Sequence, residues 1–206
     1  MIKAVYFDYD GVLTTDKTGS LTTNRYLSHA TGVEFSRVEA AFSRYNKDLT
    51  LGKTTHSQIW HEVCSVLGLE LSISLLYAAF ESTPVNAGMF SLARRLSGNY
   101  SLGIITDNKK DRIDHLKKHQ DLESLFSPIV VSSEIGADKK SSEIFLYAVN
   151  CTHARPEESV FIDNNRGNLI AASALGIETI FHDDEKNDIE ALIGTLKALG
   201  VVVGNA

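Results

Sequence analysis

Cysteine is nearly missing from this chain, with two among 206 residues, Cys64 and Cys151. They have no metal-type spacing and are too few for a disulfide framework, so both read as buried apolar residues in a reducing compartment. Proline is almost as scarce, with three, and 43% apolar residues against 22% charged exclude a collagenous or disordered chain. No apolar run reaches the roughly 18 residues that a membrane span needs. The apolar start, Met1 to Phe7, is too short for a signal-peptide core and meets carboxylates at once. The expected setting is cytoplasmic, with no membrane partner. Basic residues are outnumbered 20 to 26, for a net charge of −6. No basic block exceeds a pair such as Lys109-Lys110 or Lys117-Lys118, which argues against nucleic acid as the partner.

Short apolar runs alternate with helical spacing along most of the chain. Ala4 to Phe7, Tyr100 to Thr106, Ile129 to Ser132, Ser159 to Ile162 and Glu178 to His182 read as buried strands of a parallel sheet covered on both faces. Met89 to Leu96, Asp111 to His119, Ser142 to Val149, Asn168 to Leu175 and Asn187 to Leu199 read as the helices between them, with Gly98 and Gly176 at helix ends. This is an α/β fold with a doubly wound parallel sheet. From about Asp16 to Pro84 the rhythm breaks into some four helices. Two of these open on capping-box patterns, Ser36-Arg37-Val38-Glu39 and Thr55-His56-Ser57-Gln58. The division expected is a core of residues 1–15 and 85–206 carrying an inserted helical cap domain, 16–84, over the carboxyl edge of the sheet. There is no internal repeat.

The first strand runs straight into two acids, Asp8 and Asp10, and then Gly11. At the carboxyl end of a parallel strand both acids face the crevice where open α/β sheets bind ligands, and close carboxylates need a cation or a proton to coexist. Two other strands end in polar groups, Thr106-Asp107-Asn108 and Asp163-Asn164-Asn165. Three strand ends thus deliver polar side chains to one edge.

These segments, in this order, resemble the motifs of the haloacid dehalogenase (HAD) superfamily, in its helical-cap branch, similar to subfamily IA phosphatases. The first motif is Asp8-Tyr9-Asp10-Gly11-Val12-Leu13-Thr14 and the second is Ile104-Ile105-Thr106-Asp107-Asn108. The third is Gly136-Ala137-Asp138-Lys139 leading to Glu143-Ile144-Phe145. The fourth is Val160-Phe161-Ile162-Asp163-Asn164, continuing through Asn168 to Leu175-Gly176.

The resemblance implies a Rossmann-like core and a Mg²⁺-dependent phosphatase acting on a small phosphorylated metabolite. Asp8 would be the nucleophile that forms an aspartyl-phosphate, and Asp10 the general acid and base. Thr106, Asp107, Asn108 and Lys139 would hold the phosphate. Lys139 is preferred over Lys140 because its spacing to Ile144-Phe145 fits. Mg²⁺, a hard ion that takes oxygen ligands, would lie among Asp8, the Asp10 carbonyl and the fourth motif. Relatives usually carry two consecutive acids there; here either the Asn164 amide oxygen or Asp163 takes the place. A dehalogenase has no alkoxide to protonate, so Asp10 favours phosphoryl transfer. The alternatives are a phosphomutase-like transferase and a catalytically weak phospho-ligand binder. In the cap, Arg44, Tyr45, Lys47 and Lys53 are candidates for reaching a substrate. Gly52-Lys53-Thr54 lacks the earlier glycine of a P-loop.

Overall fold

The computed structural model describes residues 1–204. Five strands, β1 (Ala4–Phe7), β2 (Ser101–Thr106), β3 (Ile129–Val131), β4 (Ser159–Asp163) and β5 (Glu178–Phe181), form one sheet in the order β3-β2-β1-β4-β5. Every pairing is parallel. The two-residue alternation of strands divides the core. Val5, Phe7, Ile104 and Ile162 face one apolar layer, which includes Met89, Leu92 and Leu96 of α6 (Ala87–Ser97), Leu116 of α7 (Lys110–His119) and Leu196 of α11 (Ile189–Ala198). Ala4, Tyr6, Ile105 and Phe161 face the other, with Ile144, Phe145 and Ala148 of α9 (Ser142–Thr152) and Ala172 of α10 (Arg166–Ala174). A short helix, α8 (Ser132–Ile135), follows β3. The chain winds outward from β1 in both directions, so the crevice beyond the carboxyl ends of β2, β1 and β4 lies where the strand order reverses.

Within residues 16–84 lie five α-helices, one more than the sequence suggests: α1 (Gly19–Thr31), α2 (Phe35–Ser43), α3 (Asn46–Thr50), α4 (His56–Leu67) and α5 (Ile73–Glu81). Leu27, Val38, Trp60, Val63, Leu76 and Phe80 give them a hydrophobic core of their own. The five residues of α3 are too few to carry a helical period. The capping box at Thr55 forms, but the one expected at Ser36 does not. Helix α2 begins at Phe35 after Glu34, with no side-chain cap, so the Ser36 hydroxyl already lies inside the first turn.

The chain enters and leaves this helical unit along adjacent paths. Thr14 pairs with Val85 in an antiparallel bridge, and the Asn86 N–H donates to the Leu13 carbonyl at 2.9 Å. Cys64 is buried but Cys151 is exposed, which corrects the reading of both as core residues. Among the described residues no helix is long and apolar enough to cross a membrane.

Candidate active site

Asp8 follows the fully buried β1 and continues the sheet by one bond, its N–H donating to the Ile162 carbonyl at 2.8 Å. The chain then turns sharply. The Tyr9 N–H donates to Asp8 Oδ1 at 2.7 Å, and Gly11 adopts φ +77°, a region that residues with a Cβ rarely enter. Space demands glycine as well, since a Cβ there would lie 2.1 Å from the Asn164 side-chain nitrogen. Tight passage at Gly11 therefore brings the first and fourth motifs into contact.

Lys139 is 1% exposed, and its ammonium lies 2.7 Å from both Asp8 Oδ2 and Asp163 Oδ2. Burial alone would lower its pKa, but Asp8 and Asp163 outweigh that and hold it above the ordinary lysine range. Burial pushes the Asp8 carboxyl well above the usual carboxylate range; Lys139 opposes this, and the charges of Asp163 and Asp10 add to it.

Asp163 is itself fully buried. Its carboxylate also accepts from the Asn165 N–H at 2.6 Å and from the Asn168 amide at 3.1 and 3.3 Å. These bonds occupy both oxygens, and Asp163 does not line the cleft, whereas Asn164 does. Of the two metal-ligand options open in the sequence, the geometry favours Asn164 and gives Asp163 the task of fixing Lys139.

Asp10 lines the cleft beside Asp8, Thr106 and Lys139. Its carboxylate is gripped by a residue that the sequence reading passed over. Arg112 Nη1 reaches Asp10 Oδ2 and Nη2 reaches Oδ1, both at 2.9 Å, and Arg112 is 2% exposed. Planar guanidinium suits this two-point contact. The Asn108 amide adds a donor to Asp10 Oδ2 at 2.8 Å and another to Thr106 Oγ1 at 3.2 Å. The Asn108 side chain, a residue expected at the phosphate, is buried, engaged with Asp10 and Thr106, and absent from the cleft wall. Thr106 accepts that bond, which leaves its hydroxyl proton free for the cleft. Asp107 lines the cleft but accepts from the Lys139 N–H at 2.9 Å, so its carboxylate positions the lysine loop.

The cap candidates are not at the site. Arg44 and Tyr45 bond to Glu62, Lys53 pairs with Asp48 at 3.9 Å, and none of the three lines the cleft. Lys47 is exposed. Gly52 serves a turn at φ +70°, packed so that a Cβ would meet the Ser133 carbonyl at 2.0 Å. The residues of the unit that do line the cleft are Lys17, Thr18, Gly19, Ser20, Asn46 and Thr50, of which only Lys17 carries a charge.

A family model for haloacid dehalogenase-like hydrolases matches residues 5–182. The chain belongs to that family. A HAD-like family hydrolase from Porphyromonas gingivalis is similar at a TM-score of 0.75 and 25% identity, over 96% of this chain and 98% of that one. A mutant HAD family enzyme from Bacteroides thetaiotaomicron, crystallised with magnesium and inorganic phosphate, shares the fold at a TM-score of 0.72 and 20% identity, over 89% and 95% of the two chains. The bifunctional epoxide hydrolase 2 of Rattus norvegicus is 25% identical over 219 aligned positions, which cover 94% of this chain and 39% of that protein. The chain thus spans about two fifths of that relative's length.

In this haloacid dehalogenase-like hydrolase the donors suit a hard dication. Asp8, Asp10 and Asp163 bring three carboxylates to two buried cations, Lys139 and Arg112. An Asp8 oxygen, the Asp10 carbonyl and the Asn164 amide oxygen are all hard ligands. Among the described residues no group of three or more His, Cys, Asp or Glu side chains is arranged to enclose a metal ion. Any ion here therefore relies on amide and carbonyl oxygens as well as carboxylate.

Proposed function

We propose that this hydrolase is a Mg²⁺-dependent phosphomonoesterase that acts on a small phosphorylated metabolite through an aspartyl-phosphate on Asp8. The observation that carries the reading is Asp10, a second carboxylate on the same strand end that faces the same cleft as Asp8. A carbon–halogen bond leaves as halide and needs no proton, whereas a phosphate ester leaves as an alkoxide that does.

Asp8 attacks phosphorus and the ester P–O bond breaks, with the proton of the Asp10 carboxylic acid passing to the departing oxygen. Asp10, now a carboxylate, takes a proton from water, whose oxygen attacks phosphorus and frees Asp8 and inorganic phosphate. Lys139 holds the Asp8 carboxylate in a fixed orientation, and the Thr106 hydroxyl donates to a phosphoryl oxygen. Asp8, the Asp10 carbonyl and Asn164 would hold Mg²⁺, which supplies positive charge against the approach of carboxylate to phosphate dianion. The helical unit, which we assign to residues 16–84, acts as a cap that excludes water and contacts the leaving group.

Phosphate release from a panel of small phosphomonoesters, with and without Mg²⁺, tests this. Mg²⁺-dependent release is expected in the wild type and not in Asp8→Asn. Release that survives in that variant, or no release from any ester, overturns the proposal.

A further inference from the structure

A small, half-open chamber adjoins the catalytic cleft beneath the helical unit, with Gly19, Ser20, Asn46 and Lys109 shared between the two. Its walls also include Thr23, Asn24, Arg112 and His56, whose ring Nδ1 lies 2.8 Å from Asp111 Oδ1, and no acidic side chain lines it. Thr23 and Asn24 are 6% and 4% exposed, and both line the chamber with polar side chains.

Lys109 is the charged member. Half-buried at the start of α7, its ammonium has no carboxylate within ion-pair distance among the described residues, although every other buried cation at the site is paired. Burial lowers its pKa to about 8; Arg112 adds to the effect, and Asp10, Asp107 and Asp111 oppose it. The two terminal nitrogens of Arg112 are committed to Asp10, which leaves Lys109 as a lysine of the chamber wall without an ion pair among the described residues. A cation without an ion pair, beside hydroxyl and amide groups in a chamber that no acid lines, is the chemistry of an anion subsite. The chamber volume is about 20 Å³, which admits the end of a short arm and excludes a sugar ring.

We propose that this chamber is a leaving-group subsite in which Lys109, with the Asn24 amide and the Ser20 and Thr23 hydroxyls, binds a second anionic group of the substrate. That group is a carboxylate or a second phosphate carried a few bonds from the scissile phosphate. The inference rests on the phosphatase reading of the adjoining cleft.

The test compares kcat/KM for a phosphorylated hydroxy acid, a short bisphosphate and a neutral alkyl phosphate of similar size, in wild type and Lys109→Gln. The wild type is expected to favour at least one anionic ester over the neutral one by tenfold or more. The preferred ester tells carboxylate from phosphate. The anionic-to-neutral ratio should fall about 10- to 100-fold in Lys109→Gln, the range expected for a charge-assisted hydrogen bond. Asn24→Asp, which puts a like charge in the chamber, should lower the same ratio. An unchanged ratio in both variants overturns the subsite.

Calorimetry in the Asp8→Asn background separates this outcome from failure of the phosphatase reading. Phosphonoacetate should bind more tightly than methylphosphonate, and Lys109→Gln should remove the difference. If no ester is hydrolysed but that difference appears and is lost, the subsite stands and the catalytic reading falls. Equal binding of the two probes overturns the subsite whether or not esters are hydrolysed.

Discussion

Arg112 meets both oxygens of Asp10 with its two terminal nitrogens at 2.9 Å, from a position almost wholly out of solvent. The clamp occupies both carboxylate oxygens, yet an acid must present a proton to its leaving group. Turnover on the proposed path therefore requires Asp10 to exchange Arg112 for the substrate. Asp10→Asn should reduce turnover of an alkyl phosphate by about 10²- to 10⁴-fold. The loss should be much smaller for p-nitrophenyl phosphate, whose leaving group needs little protonation. Equal losses on the two esters, measured by phosphate release, would remove Asp10 from the acid role.

The same pair supports the fold. Arg112→Met leaves a mostly buried Asp10 without its countercharge and should cost about 3–5 kcal/mol, the range for breaking a buried pair. Arg112→Lys keeps the charge but not the fork and should fall between wild type and Met. Urea denaturation midpoints decide this. A wild-type midpoint for Arg112→Met would mean that water serves Asp10 as well as the guanidinium does.

Lys139 joins two strand ends through one ammonium, at 2.7 Å from Asp8 and from Asp163. Lys139→Met should likewise destabilise by about 3–5 kcal/mol. Adding Asp163→Asn should return part of that loss, because it removes one of the two orphaned charges. A double-mutant cycle in urea reads the coupling; strict additivity of the two substitutions would show that the contact carries no net energy.

Asn164 and Asp163 should separate by experiment. Asn164 faces the cleft and Asp163 does not. Asn164→Asp adds a charged oxygen to the donor set and should tighten Mg²⁺ on the order of tenfold. Gly11→Ala should weaken it, since the added carbon displaces the Asn164 amide and strains a backbone at φ +77°. Asp163→Asn should chiefly lower thermal stability. Calorimetric titration of Mg²⁺ that moved with Asp163 and not with Asn164 would reverse the assignment.

The fold was legible because each strand is a short apolar run that ends in polar groups, and buried parallel strands leave that signature whatever packs around them. Asp8, Thr106 and Lys139 were legible through their place after those runs. Arg112 was not, because an arginine within Asp111 to His119 looks like the solvated face of a charged helix. The available signal was its spacing of four from Leu116, which puts a charge on the buried stripe. The cap was misread for the opposite reason. Arg44, Tyr45 and Lys53 are chemically conspicuous, but they bond to Glu62 and Asp48 and do not line the cleft. Ser20, Thr23, Asn24 and Asn46, which line the chamber, are residues that any polar helix face could contain.

The pH dependence of selectivity follows from Lys109. Burial brings its pKa to about 8, with Arg112 pressing it down and Asp10, Asp107 and Asp111 pressing it up. The ammonium is present below that value and lost above it, and kcat/KM reports the free enzyme. The wild-type kcat/KM ratio for a carboxylated over a neutral ester should hold steady below pH 7 and fall about tenfold between pH 7 and 9, as expected for loss of one proton. Taking the ratio cancels any pH effect on the chemical step, which the two esters share. Lys109→Arg keeps its charge throughout this range, so its ratio should stay flat to pH 9. A wild-type ratio that is also flat would show that the Lys109 ammonium does not face the substrate's second anion.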